Sequence, residues 1–343
     1  MKIESSAASN IALIKYMGKI PGTGNRPTNA SISFTLDHLR TFVRLTPILE
    51  LSSDDKENQK MSSADLNQNI DLWRPLKRSD LYPIQLSEKG QKRFLQHFEF
   101  LKKQWNISEN YLIESANNFP SDCGLASSAS SFAALTVAAS ELFQKINPID
   151  EGKDLQWISS LSRQGSGSSC RSLYTPWAIW KEEYAEPVVG FKNEKLIHSA
   201  IIVEDSIKAV SSSEAHRLVT NSPRFEGRIE RAQLRLNDLI QALREGDWSM
   251  AYQICWDEFI DMHRLFETST PAFSYMTDGS HEVLKYLKSH WENKMDGPIV
   301  TMDAGANVHL LFRENQFELC AKMNHELGQK FRVLSSLREK YDA

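Results

Sequence analysis

The chain is 343 residues long, room enough for two domains that share an interface. Hydrophobic residues make up 41% and charged residues 24%, a balance that fits a soluble globular enzyme. Net charge is −4 with Lys and Arg scattered, which argues against nucleic acid or an anionic membrane as the main partner, and no apolar run approaches the roughly 18 residues of a membrane helix.

The N-terminal stretch MKIESSAASN has no apolar core of signal-peptide length. Lys2 to Ala8 can form a first strand, which leads into SNIALIKYMGK. Asn29 to Phe34 and Thr41 to Leu45 alternate as strands do, with a turn expected near Asp37 and His38. Residues 50 to 70 are polar and almost free of apolar periodicity, as in an exposed loop or hairpin tip. Within Ser87 to Trp105, Phe94, Phe98, Leu101 and Trp105 recur at 4, 3 and 4 positions, which predicts a helix with one core-facing stripe. Tyr111 to Ser115 reads as a strand feeding a turn at 117–129, and Ser130 to Lys145 as the following helix. Another helix near Asp154 to Arg163 delivers the chain to RQGSGSSCRSL.

Composition shifts after Trp180, and a domain division is expected between 1–185 and 186–343. Leu196 to Glu204 reads as a strand and Ser211 to Val219 as a short helix. Two long helices follow, Arg224 to Arg244 and Trp248 to Phe266, with Gly246 as the stop between them. A helix from Ser280 to Trp291 and a strand from Ile299 to Met302 precede DAGANVHLLF. Strands and helices mix without strict βαβ alternation, so the fold class is α+β. Cys123, Cys170, Cys255 and Cys320 lie far apart with no C-x-x-C pair, which suggests free thiols in a reducing compartment, the cytoplasm by default.

Four segments carry residue types suited to phosphate chemistry. NNFPSDCGLASSA (117–129) contains Pro120, Gly124, Ser127 and Ser128 and opens a helix. Small residues there let backbone N–H groups converge, and the helix dipole adds roughly half a positive charge. The G-K-[ST] ending of a Walker A loop is absent. Lys15, Tyr16 and Lys19 flank Gly18, and two cations so close suit a highly charged anion, although a solvated basic turn has the same composition. RQGSGSSCRSL (163–173) combines Gly165, Ser166, Gly167 and Ser168 with Arg171, whose planar guanidinium can grip a carboxylate or phosphate. Asp303 ends an apolar strand and meets Ala304 and Gly305, the place for a general base or for a turn-forming Asp. Nine dispersed His without H-E-x-x-H argue against a metalloenzyme.

In order and over nearly the whole chain, NIALIKYMGK, RPTNASISFTL, NNFPSDCGLASSASSFAAL, RQGSGSSCRSL and MDAGAN resemble the mevalonate diphosphate decarboxylases of the GHMP kinase superfamily. The resemblance implies an N-terminal domain like domain 2 of ribosomal protein S5, with a left-handed βαβ unit, followed by a ferredoxin-like C-terminal domain. It implies a cleft between them that uses Mg-ATP to phosphorylate the 3-hydroxyl of mevalonate 5-diphosphate and then releases phosphate and CO2 to give isopentenyl diphosphate. By position, Asp303 matches the catalytic aspartate, Arg171 the arginine on the substrate carboxylate, and Lys15 the lysine near Asp303. Ser128 matches the phosphate-loop serine near the γ-phosphate and metal; no other metal ligand from the protein is implied. Asn118, Pro120, Gly124, Leu125, Ala126 and Ser127 fall in the ATP loop. Tyr16, Lys19, Ser166, Gly167 and Ser168 match contacts to the substrate diphosphate, and Ser212 a serine of the second domain that closes on the site.

Alternatives within the superfamily are a mevalonate 5-phosphate decarboxylase and a mevalonate 3-kinase. One of another class is a non-catalytic nucleotide-binding module, against which Asp303 and Ser128 both stand. The expected partners are small molecules and a second copy of the chain, as a C2 dimer.

Overall fold

The first strand, β1 (Ile3–Ile14), runs well beyond Ala8, and every residue from Ala7 onward is buried. A strand covered on both faces loses the inside–outside alternation that marks half-buried strands, which is why SNIALI does not read as one. The computed structural model describes residues 2–51, 70–120, 127–147, 154–204 and 209–337.

The two strands expected from Asn29 to Leu45 are one strand, β2 (Ser31–Pro47), and there is no chain-reversing turn at Asp37 and His38. Instead the β1–β2 register jumps from Ala8↔Arg40 to Ser9↔Leu36, so Asp37 to Leu39 bulge out. Asp37 stays outside, accepting from Arg40 and from Thr175 Oγ1. Turn-like residues here mark a bulge in a continuous ladder.

Strand β2 is the spine of a seven-stranded sheet. β1 pairs along one edge, while β5 (Tyr111–Asn117) and β6 (Trp177–Trp180) share the other. β3 (Leu72–Pro75) lies parallel to β5, joined to it through helix α1 (Glu88–Trp105), and β4 (Tyr82–Pro83) pairs with β5 at its far end. Ser87 caps α1 by accepting from Gly90 N, and the predicted stripe of Phe94, Phe98, Leu101 and Trp105 is buried. Helix α2 (Ser127–Ile146) starts earlier than expected and packs its Ala129, Ala133, Ala134 and Ala138 side into β1 and β2. Helix α3 (Leu155–Gly165), capped by Asp154, follows. β7 (Ala185–Pro187) pairs with β6, so the first sheet continues to Pro187, across the division expected at 185/186.

The second sheet contains β8 (Leu196–Ile202), β9 (Ile299–Thr301), β10 (Val308–Arg313) and β11 (Arg332–Ser335), antiparallel in the order β11-β8-β10-β9. Helices α4 (Ser212–Leu218), α5 (Arg228–Glu245), α6 (Trp248–Glu267) and α7 (Asp278–Lys294) lie between β8 and β9 in the chain, and α8 (Phe317–Gly328) between β10 and β11. This is the strand order of a ferredoxin-like unit. Gly246, at φ 76°, closes α5 in the left-handed conformation that glycine adopts without strain, and Asp247 caps α6.

The two sheets share one core. Ile11, Leu13, Ile32 and Phe34 of the first pack in the same cluster as Ile201, Phe259, Val300 and Leu310 of the second unit. Thr301 Oγ1 donates to the Ala12 carbonyl at 3.2 Å, which ties β9 to β1. No helix among the described residues is long and apolar enough to cross a membrane.

Candidate active site

Past Ile14, β1 gives way to the segment 15–19, which crosses the seam between the sheets. The Lys15 side chain is 3% exposed, and its Nζ donates to Asp303 Oδ1 at 2.6 Å and to the Ala12 carbonyl at 2.5 Å. Asp303 sits just after β9, held to α6 by His263, whose Nε2 lies 3.2 Å from the Asp303 carbonyl. Burial pulls the Lys15 ammonium below its ordinary pKa, with Asp303 and Glu258 restoring part of it. For Asp303, burial acts to raise the pKa, but Lys15, His309 and Arg171 outweigh it and hold the carboxyl below its ordinary value. The pair is therefore a preformed ammonium–carboxylate contact.

The segment RQGSGSSCRSL completes α3 and continues as a 3₁₀ turn, Gly167–Leu173. It presents a buried Arg171, whose Nε donates to Asn10 Oδ1 at 3.2 Å and Nη1 to Ser31 Oγ at 2.6 Å. Asn10 is anchored in turn by donating to Ser172 Oγ at 2.8 Å. The guanidinium lies 5.8 Å from the ring centres of both Tyr16 and Trp180. Gly167 is required by packing: a Cβ there would meet Tyr16 Oη at 2.7 Å and the Trp180 ring at 2.9 Å.

Tyr16 is wedged between Trp180, edge-on at 4.7 Å, and His216, stacked at 4.6 Å. Burial pushes its phenol up to about 12, so it stays protonated and can donate. Burial and the nearby Arg93 pull the Lys19 ammonium down to about 8. Gly18 N donates to His216 Nδ1 at 3.2 Å, so α4 of the second unit is joined directly to the Lys15–Lys19 segment.

These groups surround a cavity of about 370 Å³. Its walls bring together Lys15, Tyr16, Lys19, Ser127, Ser128, Ser166, Ser168, Arg171, Ser212 and Asp303, all read from the sequence as site residues. Ser127 and Ser128 are the first residues of α2, whose start is held by a buried chain of hydroxyls: Thr41 Oγ1 donates to Asn117 Oδ1 at 2.7 Å and lies 2.6 Å from Ser130 Oγ.

Gly124, Leu125 and Ala126 lie outside the described residues, as does Cys123. Asn118 and Pro120 are described but do not line the cavity. Asn118 is turned onto the β2 bulge, accepting from Arg40 N at 2.7 Å and donating to the His38 carbonyl at 3.0 Å. Cys170, Cys255 and Cys320 are free and buried.

Arg93, His216 and Met262 also face the cavity. The sequence gives no specific signal for them: Arg93 is a polar position of α1, and Met262 reads as part of an apolar stripe. Among the described residues no group of three or more His, Cys, Asp or Glu could hold a metal ion.

Residues 7–187 match the model of the diphosphomevalonate decarboxylase-like N-terminal domain, and residues 199–341 that of the mevalonate 5-diphosphate decarboxylase C-terminal domain. The diphosphomevalonate decarboxylase of Debaryomyces hansenii is 30% identical, over 90% of this chain and 79% of that protein. The crystal structure of a mevalonate diphosphate decarboxylase from Legionella pneumophila superposes with a TM-score of 0.86 at 41% identity, covering 97% of this chain and all of that one. A structure described as MDDEF in complex with MVAPP, AMPPCP and magnesium superposes with a TM-score of 0.79 at 27% identity, covering 98% and 96% of the two chains. The chain belongs to the diphosphomevalonate decarboxylase family.

Proposed function

We propose that this chain converts mevalonate 5-diphosphate and ATP to isopentenyl diphosphate, ADP, phosphate and CO2. The observation that carries the reading is the convergence of Lys15, Arg171 and Asp303 on one cavity with the start of α2. The related structure described as a complex with MVAPP, AMPPCP and magnesium supports the choice of ligands.

A tertiary alcohol is a crowded nucleophile, so orientation matters more than basicity. Asp303, ionised across the physiological range because of Lys15, accepts a hydrogen bond from the 3-hydroxyl and aims its oxygen at the γ-phosphorus. The transition state for phosphoryl transfer is loose, so the proton can pass to the carboxylate late. Lys15 and the N–H groups at the start of α2 absorb charge that spreads over the transferring group.

Arg171 has Nε and Nη1 engaged by Asn10 and Ser31, which fixes its plane and aims its remaining N–H groups at the substrate carboxylate. Tyr16, Lys19, Ser166 and Ser168 hold the diphosphate, with Gly167 keeping the Tyr16 ring close. Ser212 closes the site from α4. The ATP phosphates run along Ser127 and Ser128, with Gly124, Leu125 and Ala126 just before them in the sequence and Asn118 and Pro120 earlier in the same stretch.

The C3–O bond then breaks as phosphate leaves, and positive charge develops at C3 beside Asp303. The C1–C2 bond pair becomes the C2=C3 double bond as CO2 departs. Mg²⁺ fits as an ion carried by the nucleotide, since it keeps several waters and needs few protein ligands; when bound it neutralises phosphate charge, with the Ser128 hydroxyl within the same cavity wall.

The ATP-binding unit is proposed as 1–185, extended by the residues that complete β7, and the ferredoxin-like unit as the remainder. A homodimer in the cytoplasm completes the reading: the free, buried state of the three described cysteines fits a reducing compartment, the dimer rests on the prevalence of C2 symmetry alone, and sedimentation equilibrium tests the stoichiometry.

The deciding experiment compares mevalonate, its 5-phosphate and its 5-diphosphate while following ADP, phosphate and CO2 together. Equimolar release of all three from the 5-diphosphate is expected. ADP without CO2 would make the protein a 3-kinase, and a higher kcat/KM for the 5-phosphate would move the assignment to the monophosphate.

A further inference from the structure

Beneath Lys15 lies an ion-pair network whose inner pair is fully buried, whose outer arginines, Arg231 and Arg235, reach solvent, and which lines no part of the cavity. Arg228, on the first turn of α5, and Glu258, in the middle of α6, are both fully buried and bonded to each other through both guanidinium ends. Together they grip the backbone of Lys15: Lys15 N donates to Glu258 Oε1 at 2.9 Å, and Arg228 Nη2 donates to the Lys15 carbonyl at 3.0 Å. Asn29 Nδ2 donates to the same carbonyl at 2.9 Å. Arg235 reaches Glu258 Oε2 at 2.9 Å and Asp261 Oδ2 at 3.0 Å, and Arg231 reaches Asp261 at 3.2 Å.

A buried ion pair is a poor way to gain stability, because desolvating both charges cancels much of their attraction. Arg228 Nε has no hydrogen-bond partner among the described residues, which makes the pair poorer still. What the pair does have is geometry. Strand pairing of β1 ends at Ile14, one residue before Lys15, so no ladder hydrogen bond fixes that backbone. The second unit supplies fixing there, through one acceptor and one donor locked to each other, with Asn29 of the first unit as a further donor to the carbonyl.

We infer that Glu258 and Arg228 are positioning residues, a clamp from the second domain that sets the Lys15 backbone so that its ammonium meets Asp303. The inference rests on the roles proposed for Lys15 and Asp303. It makes the catalytic pair depend on the seating of α5 and α6 against β1, so that Lys15 and Asp303 are in register only when the two units are.

The test is steady-state kinetics on Arg228→Lys, Glu258→Gln, Arg231→Gln and Lys15→Met. Arg228→Lys keeps the charge and the aliphatic stem, and hence the fold, but a point ammonium cannot hold Glu258 and the Lys15 carbonyl in one plane. Its kcat should fall about tenfold to hundredfold, with both KM values within about threefold of wild type. Arg231→Gln loosens the same network without touching Lys15 and should leave kcat unchanged.

In Glu258→Gln the carboxylate that helps keep Lys15 protonated is gone, while Asp303, Arg171, His263 and Cys255 still face it. Lys15 should then lose its proton at lower pH, and the basic limb of the kcat profile should move down. Wild-type kcat in Arg228→Lys, an equal loss in Arg231→Gln, or an unmoved basic limb in Glu258→Gln would each overturn the clamp. Wild-type turnover in Lys15→Met would instead overturn the assignment of Lys15 itself, and is thereby distinguished.

Discussion

Lys15 Nζ lies 2.6 Å from Asp303 Oδ1, although the two residues stand 288 positions apart and follow strands of different sheets. A lysine with its ammonium held by a carboxylate is both a charge for phosphate and a brake on the basicity of that carboxylate. Removing the carboxylate while keeping its shape separates the two. Asp303→Asn is expected to lower turnover by about 10²–10⁴, with ATP affinity by calorimetry close to wild type. Because the Asp303 pKa is held below its ordinary value, the carboxylate form persists as pH falls to that lower value, so the acid limb of wild-type kcat should not titrate with Asp303 between about pH 5 and 8. Unchanged turnover in Asp303→Asn would remove this residue from the mechanism.

Arg171 offers a second test through its plane. Nε and Nη1 are spoken for by Asn10 and Ser31, so the orientation of the other N–H groups is set before any substrate arrives. Lysine at this position cannot satisfy both partners and a substrate carboxylate at once. Arg171→Lys should lose about 10- to 100-fold in kcat/KM, the worth of one or two charge-assisted hydrogen bonds. Asn10→Ala should show a smaller loss of the same kind. Wild-type kinetics in Arg171→Lys would contradict the role.

Much of this was legible because local chemistry and global fold agree. The stripe Phe94, Phe98, Leu101 and Trp105 has helical spacing and is buried as one face; Ser87 and Asp154 start their helices through side-chain caps, and Gly246, lacking a Cβ, ends its helix in the left-handed conformation. Other elements carry no local mark. The bulge at Asp37–Leu39 has the composition of a turn, and only pairing with β1 shows that the strand continues. WAIW of β6 is too short to show periodicity and is defined by β2 beside it.

At the site, Lys15, Arg171 and Asp303 could be picked out because charged residues beside small ones at strand and helix ends are uncommon in a core. Arg228 and Glu258 could not. Charges inside amphipathic helices look like solvent-facing positions until the helices are packed. Asn118, a polar residue in the phosphate-loop stretch, turns out to brace the β2 bulge.

Lys19 makes the diphosphate contact sensitive to pH in a direction that can be worked out. Burial and Arg93 hold its pKa at about 8 in the free protein, so the charge is present below that pH and lost above it. A bound diphosphate would favour the ammonium and raise its pKa, which means the anion binds more weakly once the free protein has lost that proton. KM for the diphosphate substrate should therefore climb above about pH 8, with a smaller change in kcat. Lys19→Arg keeps its charge throughout, and its KM should stay flat to about pH 9.5. A parallel climb in the arginine variant would assign the effect to another group.

Acid should destabilise this fold before it protonates the carboxylates, because several imidazoles are buried neutral. Burial drops His97 and His263 to about 3, drops His38 to about 4, and holds His198 well below its ordinary value. His198 is the middle of a chain, with Nδ1 3.2 Å from His38 Nε2 and Nε2 2.9 Å from His309 Nδ1. Each group binds a proton near 6.5 when unfolded but only at lower pH when folded. Between those values the unfolded state holds more protons, so stability is full above about pH 6.5 and falls as pH drops toward 3 to 4. The slope approaches about 1.4 kcal/mol per pH unit for each such histidine. Urea titrations at a series of pH values from about 7.5 to 4.5 should show this decline. His97→Gln, which can still reach Thr136, removes one titrating group and should make it shallower. A decline in that variant as steep as in the wild type would mean that the buried His97 is not among the groups responsible.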